Sequence, residues 1–430
     1  MLCLLGSLAV FQTGAVSALA AADASDGPAP PTSWRLGLRS TGYFYQLRGP
    51  DGARDDRYQS YQTVTGSASG LAGGLLTLRG AGRYAGDPAI VGPGFSTSRL
   101  YTGYLEARPS PEFEARLGRQ YVAGGLHGLT LDGLRLSLHR GSGPEIVLWG
   151  GARAPLGLGF DPGDLEADAA AGARIAFRPG RRWQVALTGA YRERLGRVAE
   201  QPVGLEAKTT LLRDCRLLGR AVYDLEQSRL AKTQLLALWQ PRGLGTSATL
   251  QLISRSPGID AASWFARFAD PGRIRVARAA IRHRFPSRYG GELEIMGRFS
   301  EERRSTRVGA ALLLPLGRIG YALRQGDAGE ASRLYGEIGH RPLPWLETDA
   351  RVAVSAYALL EDAPADLERD LVTMTARLRA TLRPGLRLLA QVQSLDNPVY
   401  AKDVRLLIGV DMSMAGGATR YGLGRGGWLR

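Results

Sequence analysis

Arg79, Arg116, Arg135, Arg220, Arg298, Arg351 and Arg377 each stand at a polar position in a run where apolar and polar residues alternate. A guanidinium stays charged at any ordinary pH and offers five donors in a planar fork, so a row of them on one face attracts and orients anions. Glu114, Glu206, Glu292 and Glu294 share that parity, and the competing reading is that the two signs pair in ladders across neighbouring strands. Other chemistry is thinly represented. The histidines His127, His139, His283 and His340 have no local metal-ligand spacing and read as strand or rim residues. No CxxCH occurs, so no c-type haem attaches to this chain, and neither "GLGRGG" (422–427) nor "GLAGG" (70–74) stands between a strand and a helix as a phosphate loop must. Asp132-Gly133 reads as a strand entry. Nothing nominates a nucleophile or a base, so the expectation is a non-enzyme without metal or cofactor.

The elements that carry the arginines are typified by "RIAFRPGRRWQVALTGAYRER" (174–194). Trp183, Val185, Leu187, Gly189 and Tyr191 fall on one parity, and Arg182, Gln184, Ala186, Thr188, Ala190 and Arg192 on the other. Period two means a β-strand with one apolar and one polar face. The pattern recurs from residue 34 to residue 414 in about 22 segments, each near the roughly 10 residues that a tilted strand needs to cross hydrocarbon. No helical run or shift in composition divides them, which predicts one domain over 34–430. Short turns such as "RPSPE" (108–112), "RPGRR" (178–182) and "RPGLR" (383–387) alternate with longer loops at 48–57, 86–98, 154–168, 194–203, 255–272 and 359–369. Arg108, Arg140, Arg178, Arg213, Arg242, Arg288, Arg341 and Arg383 mark the short-turn rim, whereas Asp51, Asp161, Asp164, Glu166, Asp260, Glu361 and Asp396 mark the other. Trp34, Tyr84, Trp183, Tyr191, Tyr223, Trp239, Tyr321 and Trp345 fall near strand ends.

A soluble sandwich would turn the apolar parity inward; a membrane barrel turns it outward and keeps the polar parity in a wet lumen. The two-sided order of short and long connections favours the barrel. So do the many Ala and Gly residues on the apolar parity, which would make a poor soluble core. The net charge of +15 comes almost wholly from arginine, the lysines being Lys208, Lys232 and Lys402. These charges recur strand after strand instead of forming one patch, and no nucleic-acid-binding motif accompanies them, which argues against nucleic acid as a partner. Residues 1–20 are apolar and uncharged and end in Ala18-Leu19-Ala20, so they read as a cleaved signal peptide that lacks the usual basic start. Residues 21–33 read as a Pro/Ala linker in the periplasm. Cys3 falls in the signal, which leaves Cys215 without a partner.

The stretch "FEARLGRQYVAGGLHGLTLDGLRLSL" (113–138) resembles the "GRQ … DGLRL" strand–loop–strand of several large porin-like families. Over nearly the whole mature length, the chain resembles Gram-negative outer-membrane β-barrels of the porin type. That resemblance implies an all-β fold: a single antiparallel transmembrane barrel of about 22 strands (roughly 18–24), with short periplasmic turns and longer extracellular loops. It further implies residence in the cell outer membrane among lipid and lipopolysaccharide. The resemblance names no substrate; the excess of arginine over acid on the lumen parity makes passive passage of small, anionic solutes the expected function, with the seven arginines named first as lumen-lining selectivity residues. An alternative follows from the width: the barrel could be a structural sheath around a periplasmic partner such as a multihaem cytochrome, as in porin–cytochrome conduits. The linker is too short for a plug, and an Arg-rich rim suits haem propionates. One departure from the porin pattern stands at the C-terminus. The strand "DVRLLIGVDMSM" (403–414) is followed by "AGGATRYGLGRGGWLR", so the closing aromatic is either Trp428 or part of a further strand over 417–429.

Overall fold

The computed structural model describes residues 32–48, 54–86, 96–123, 128–141, 143–155, 159–180, 182–256, 272–327, 329–358, 369–396 and 403–417. The proposed signal, the linker except for Thr32 and Ser33 (the latter opening β1), His127, Trp428 and nearly all of 417–429 lie outside the described residues. Strands run from β1 (Ser33–Arg48) to β23 (Asp403–Gly417), and every neighbouring pair is antiparallel. β10 (Arg197–Glu200) and β11 (Pro202–Leu212) both pair with β9 (Trp183–Arg194). They form one crossing interrupted at Gln201, so the barrel has 22 crossings. β1 pairs with β23 from Ser33↔Gly417 to Tyr45↔Arg405, and this last ladder closes the sheet. An even number of antiparallel crossings brings Ser33 and Gly417 to one rim, which is also the rim of the short turns at 111–112, 213–214, 315–316 and 384–385.

The apolar parity faces outward. Leu117, Leu187, Leu205, Leu293, Ile295, Ile319 and Ile338 are exposed, with Leu117 reaching 62%. Such exposure would destabilise a water-soluble protein, because each side chain of this size loses about 1.5–3 kcal/mol when it stays in water instead of an apolar medium. Trp34, Phe177, Trp183, Trp239, Phe285 and Trp345 stand exposed toward the short-turn rim. Phe44, Tyr84, Tyr121, Tyr191, Tyr223 and Phe299 stand exposed toward the other. Tyr321 departs from the expectation, since it sits mid-strand in β18 (Gly317–Gly326).

The expected loop at 194–203 is a tight turn instead. Leu195 and Gly196 have φ of 51° and 71°, the two positive values of a type I′ hairpin, and the strand resumes at Arg197 opposite Arg194. The connection at 225–228 is likewise short. The second rim is therefore elaborated at selected loops only.

A row of glycines crosses β5 (Phe113–Ala123), β6 (Gly128–His139) and β7 (Glu145–Arg153), where Gly118, Gly133 and Gly151 are paired in register. Gly118 adopts φ 121°, and a Cβ there would fall 2.4 Å from the Gly103 carbonyl oxygen; at Gly133 it would fall 2.1 Å from that of Gly150. Beyond this row β5 leaves β4 (Ser96–Ser110), and their last rung is Gly103↔Arg119. Substituting Gly118→Ala or Gly133→Val must push these strands apart, at a cost on the order of 1–3 kcal/mol. We expect a lower urea midpoint for the heat-modifiable band on electrophoresis, whereas Gly219→Ala, with nothing within 4 Å of its Cβ position, leaves the midpoint unchanged.

Candidate functional site: the charged inner wall

Strand register decides which side chains meet inside. All seven arginines named first lie on the parity opposite the exposed apolar residues of their strands. Four of them enter ion pairs or a hydrogen-bonded cluster. Glu114 gathers three guanidiniums: Arg108 Nη2 at 2.6 Å, Arg116 Nε at 2.9 Å and Arg135 Nη1 at 2.8 Å. Arg116 also reaches Glu106 at 3.0 Å, which Arg108 reaches at 2.9 Å. The chain of alternating charge continues along the wall. Arg174 lies 3.8 Å from Glu145 and 4.0 Å from Glu206, and Glu206 in turn accepts from Arg220 at 2.7 Å and Lys208 at 2.9 Å. Glu106 and Glu114 are nearly excluded from water, which they tolerate because each is bracketed by cations.

A second cluster occupies the opposite sector. Arg278 Nη2 lies 2.5 Å from Glu294, Arg318 Nε 3.0 Å from Glu337, and Arg377 donates to Gln391 at 2.9 Å with Asp349 3.9 Å away. Arg341 and Arg379 share Glu347. At the closing seam, Arg39 and Asp411 pair through two contacts of 2.5 and 3.2 Å. Of the expected ladders, those at Glu114 and Glu206 form with Arg116, Arg135 and Arg220, whereas Glu294 pairs with Arg278 and Arg307 and Glu292 stands 4.0 Å from Arg282. Arg79, Arg298 and Arg351 are different: among the described residues no carboxylate stands within ion-pair distance of them. Arg298 and Arg351 are exposed to the lumen; Arg351 opens onto a mixed groove lined by Arg278, Arg307, Arg318 and Arg333 together with Glu292, Glu294 and Glu337, the last standing opposite it on the neighbouring strand.

Two features were not anticipated. Val122, Leu131, Val147, Trp149 and Ala170 form a buried apolar cluster on the lumen parity of β5–β8, β8 being Asp168–Phe177. Trp149 lies over Gly172, where any Cβ would fall 2.2 Å from the indole. The other feature is the pair Arg119–Asp132. Both residues stand on the outward parity, in register with each other, and Arg119 is only 5% exposed. Asp132 is thus a mid-strand residue with a partner, not a strand entry. The signal was present in the sequence: Arg119 interrupts Phe113, Ala115, Leu117 and Tyr121, and Asp132 precedes Leu134, Leu136 and Leu138.

A closed sheet, an outward apolar band, aromatics at both rims and a charged interior leave one solvent for the outer face, which is hydrocarbon. The chain is a closed, antiparallel transmembrane β-barrel of 22 crossings. No protein-family model matches the barrel's sequence, and no curated protein matches it. Solved structures with a similar course are the translocation pore of the P pilus usher PapC (TM-score 0.46, 10% identity, covering 88% of this chain and 99% of that one), Pseudomonas aeruginosa OccK3 (0.44, 12%, 89% and 96%) and Acinetobacter baumannii OccAB4 (0.42, 7%, 90% and 99%). Among the described residues, no group of His, Cys, Asp and Glu could hold a metal ion.

Glu114 is the acid on which the first cluster turns. Glu114→Gln leaves Arg108, Arg116 and Arg135 crowded without a counter-charge, and breaking such a buried pair costs about 3 kcal/mol or more. The barrel of this variant should unfold at distinctly lower urea concentration in lipid, with the loss reduced in high salt.

Proposed function

We propose that the barrel is a passive channel for small anionic solutes, with Arg79, Arg298 and Arg351 setting its preference. The supporting observation is the contrast between paired and unpaired arginines on one inner wall. A guanidinium held against a carboxylate is nearly neutral at a distance. One beyond ion-pair distance of any acid, as Arg79 and Arg298 are and as Arg351 is because its cross-strand neighbour Glu337 is taken by Arg318, keeps more of its field in the lumen, where rings of like charge favour counter-ions. Arg116, Arg135 and Arg220 then act mainly as struts that fix the wall, and Arg377 is held between Gln391 and Asp349.

Export relies on residues 1–20 as the cleaved signal, and residues 21–33 serve as the periplasmic linker. The acidic rim faces lipopolysaccharide outside the cell, and the Arg-rich rim faces the periplasm. In a planar bilayer under a salt gradient, the reversal potential should report anion preference. Arg298→Glu and Arg351→Glu should lower the chloride-to-potassium permeability ratio severalfold, whereas Arg220→Glu should chiefly reduce the yield of folded barrel. Cation selectivity in the native barrel overturns this reading. A stoichiometric haem protein that co-elutes in mild detergent would replace it with the sheath.

Orientation is tested separately by single cysteines in a Cys215→Ser background. A membrane-impermeant maleimide added to intact cells should label Gln227→Cys and spare Gly180→Cys, and the opposite result reverses the rims.

A further inference from the structure

Near the short-turn rim the inner wall carries leucine where the lumen is wet. β13 (Arg229–Trp239) turns Leu235 and Trp239 toward lipid, so Leu236 and Leu238 fall on the lumen parity. Leu218 of β12 (Cys215–Asp224) lies opposite Leu236, and Leu238 lies opposite Arg216. Lipid cannot cover these side chains, and Leu238 leaves 37% of its surface open. The three leucines floor a recess of about 670 Å³.

The other side of the recess is built by β9 and β11. Thr210 of β11 donates its N–H to the carbonyl of Arg182, just before β9, at 3.1 Å, and Thr210 pairs with Arg216 of β12. Arg182, Thr210, Arg216 and Leu238 thus form one row along the rim. Gln184, Lys208, Leu218 and Leu236 form the row behind it.

The charge here has one sign. Arg178, Arg182 and Arg216 line the recess, all three are exposed, and among the described residues no carboxylate stands within ion-pair distance of any of them. Lys208 is held by Glu206 at 2.9 Å. No carboxylate lines the recess itself, in contrast to the mixed groove beside Arg351. Glu206 lies one row deeper, where Arg220 also binds it, and Asp214, in the turn between β11 and β12, stands 3.9 Å from Arg242.

Guanidiniums along one edge and leucines on the floor suit a ligand with the same two halves. Arg182 and Arg216 are two strand spacings apart, about 10 Å, which lets both forks reach one anionic group above Thr210. From there an apolar body extends over Leu218, Leu236 and Leu238 and displaces water from them. A small inorganic anion meets the first half only, and an uncharged apolar solute the second only. We infer that this recess binds an organic anion with an apolar body, its carboxylate or sulfonate on Arg182 and Arg216 and its body on the three leucines. Resting on the channel reading, the inference names the class of anion that the lumen collects at its short-turn mouth.

The test uses the full barrel in liposomes, with 2-naphthalenesulfonate as the probe and equilibrium dialysis as the measurement. Barrel-containing liposomes should bind the probe saturably above the level of barrel-free liposomes. Hexanesulfonate should displace it at far lower concentration than methanesulfonate, and 2-naphthol should not displace it. Arg182→Gln with Arg216→Gln should weaken probe binding about tenfold or more. Arg140→Gln, the same loss of charge elsewhere on that rim, should leave it unchanged. Leu236→Ser with Leu238→Ser should weaken the probe by about tenfold and bring hexanesulfonate level with methanesulfonate. Probe uptake equal to that of barrel-free liposomes, equal displacement by the two sulfonates, or native affinity in the double arginine variant overturns the inference. The displacement series needs the native barrel alone, so it decides the matter even where a variant does not assemble. Reversal potentials recorded on the same preparations report the channel reading separately: a cation-selective barrel that binds the probe loses that reading, and an anion-selective barrel that does not bind it loses this site.

Discussion

Every backbone N–H and C=O in the wall of this barrel needs a partner within the sheet, because hydrocarbon supplies none. The ladder between β1 and β23 meets that demand for the two strands that would otherwise be edges. It joins residues separated by almost the whole chain, such as Arg39 and Asp411. Once the sheet is closed there are only two surfaces, and period two sorts side chains between them. The apolar parity goes to lipid. The charged parity has nowhere to go but inside.

That sorting explains how one chain holds so many arginines. A guanidinium in a wet lumen keeps most of its hydration, so Arg79 and Arg298 stand without a bonded carboxylate at modest cost. Where the wall is tightly packed, as around Glu106 and Glu114, water is excluded and the charges occur as bracketed clusters. Arg119 and Asp132 obey the same rule in the harder solvent. They face the bilayer, so they are paired with each other and roofed by backbone groups of Asp161 and Gly163 in the connection after β7.

Parity was legible in the sequence because it is local: each strand announces its own faces, and the arginines from Arg79 to Arg377 could be assigned to the interior from spacing alone. Their partners were not, because pairing depends on register between strands. Glu114 meets Arg108 across a turn, Arg116 two residues along its own strand and Arg135 on the next strand. Only the assembled hairpins settle which of these contacts forms. The turn at Leu195–Gly196 was missed for a related reason. Polar residues on both sides looked like a loop, whereas two positive φ values let the strand reverse within two residues. The Arg119–Asp132 pair lay in view as two breaks in apolar runs, but neither break means anything until the strands are aligned and the breaks coincide.

The glycine row and the connection after β7 meet at the end of one ladder. Gly118, Gly133 and Gly151 let neighbouring backbones approach closer than any side chain would permit. The β4–β5 ladder ends one residue from this row, at Gly103↔Arg119. The end of a ladder inside a membrane leaves unpaired peptide groups on β4, and something in the same chain has to reach them. The connection after β7 starts two strands beyond β5, and 154–167 is long enough to return across β6 and β5 to β4, where Gly159 donates to the Ser98 carbonyl and accepts from the Leu100 N–H. Its length, which reads in the sequence as mere elaboration of a rim, supplies hydrogen bonds that β4 lacks beyond the end of its ladder with β5.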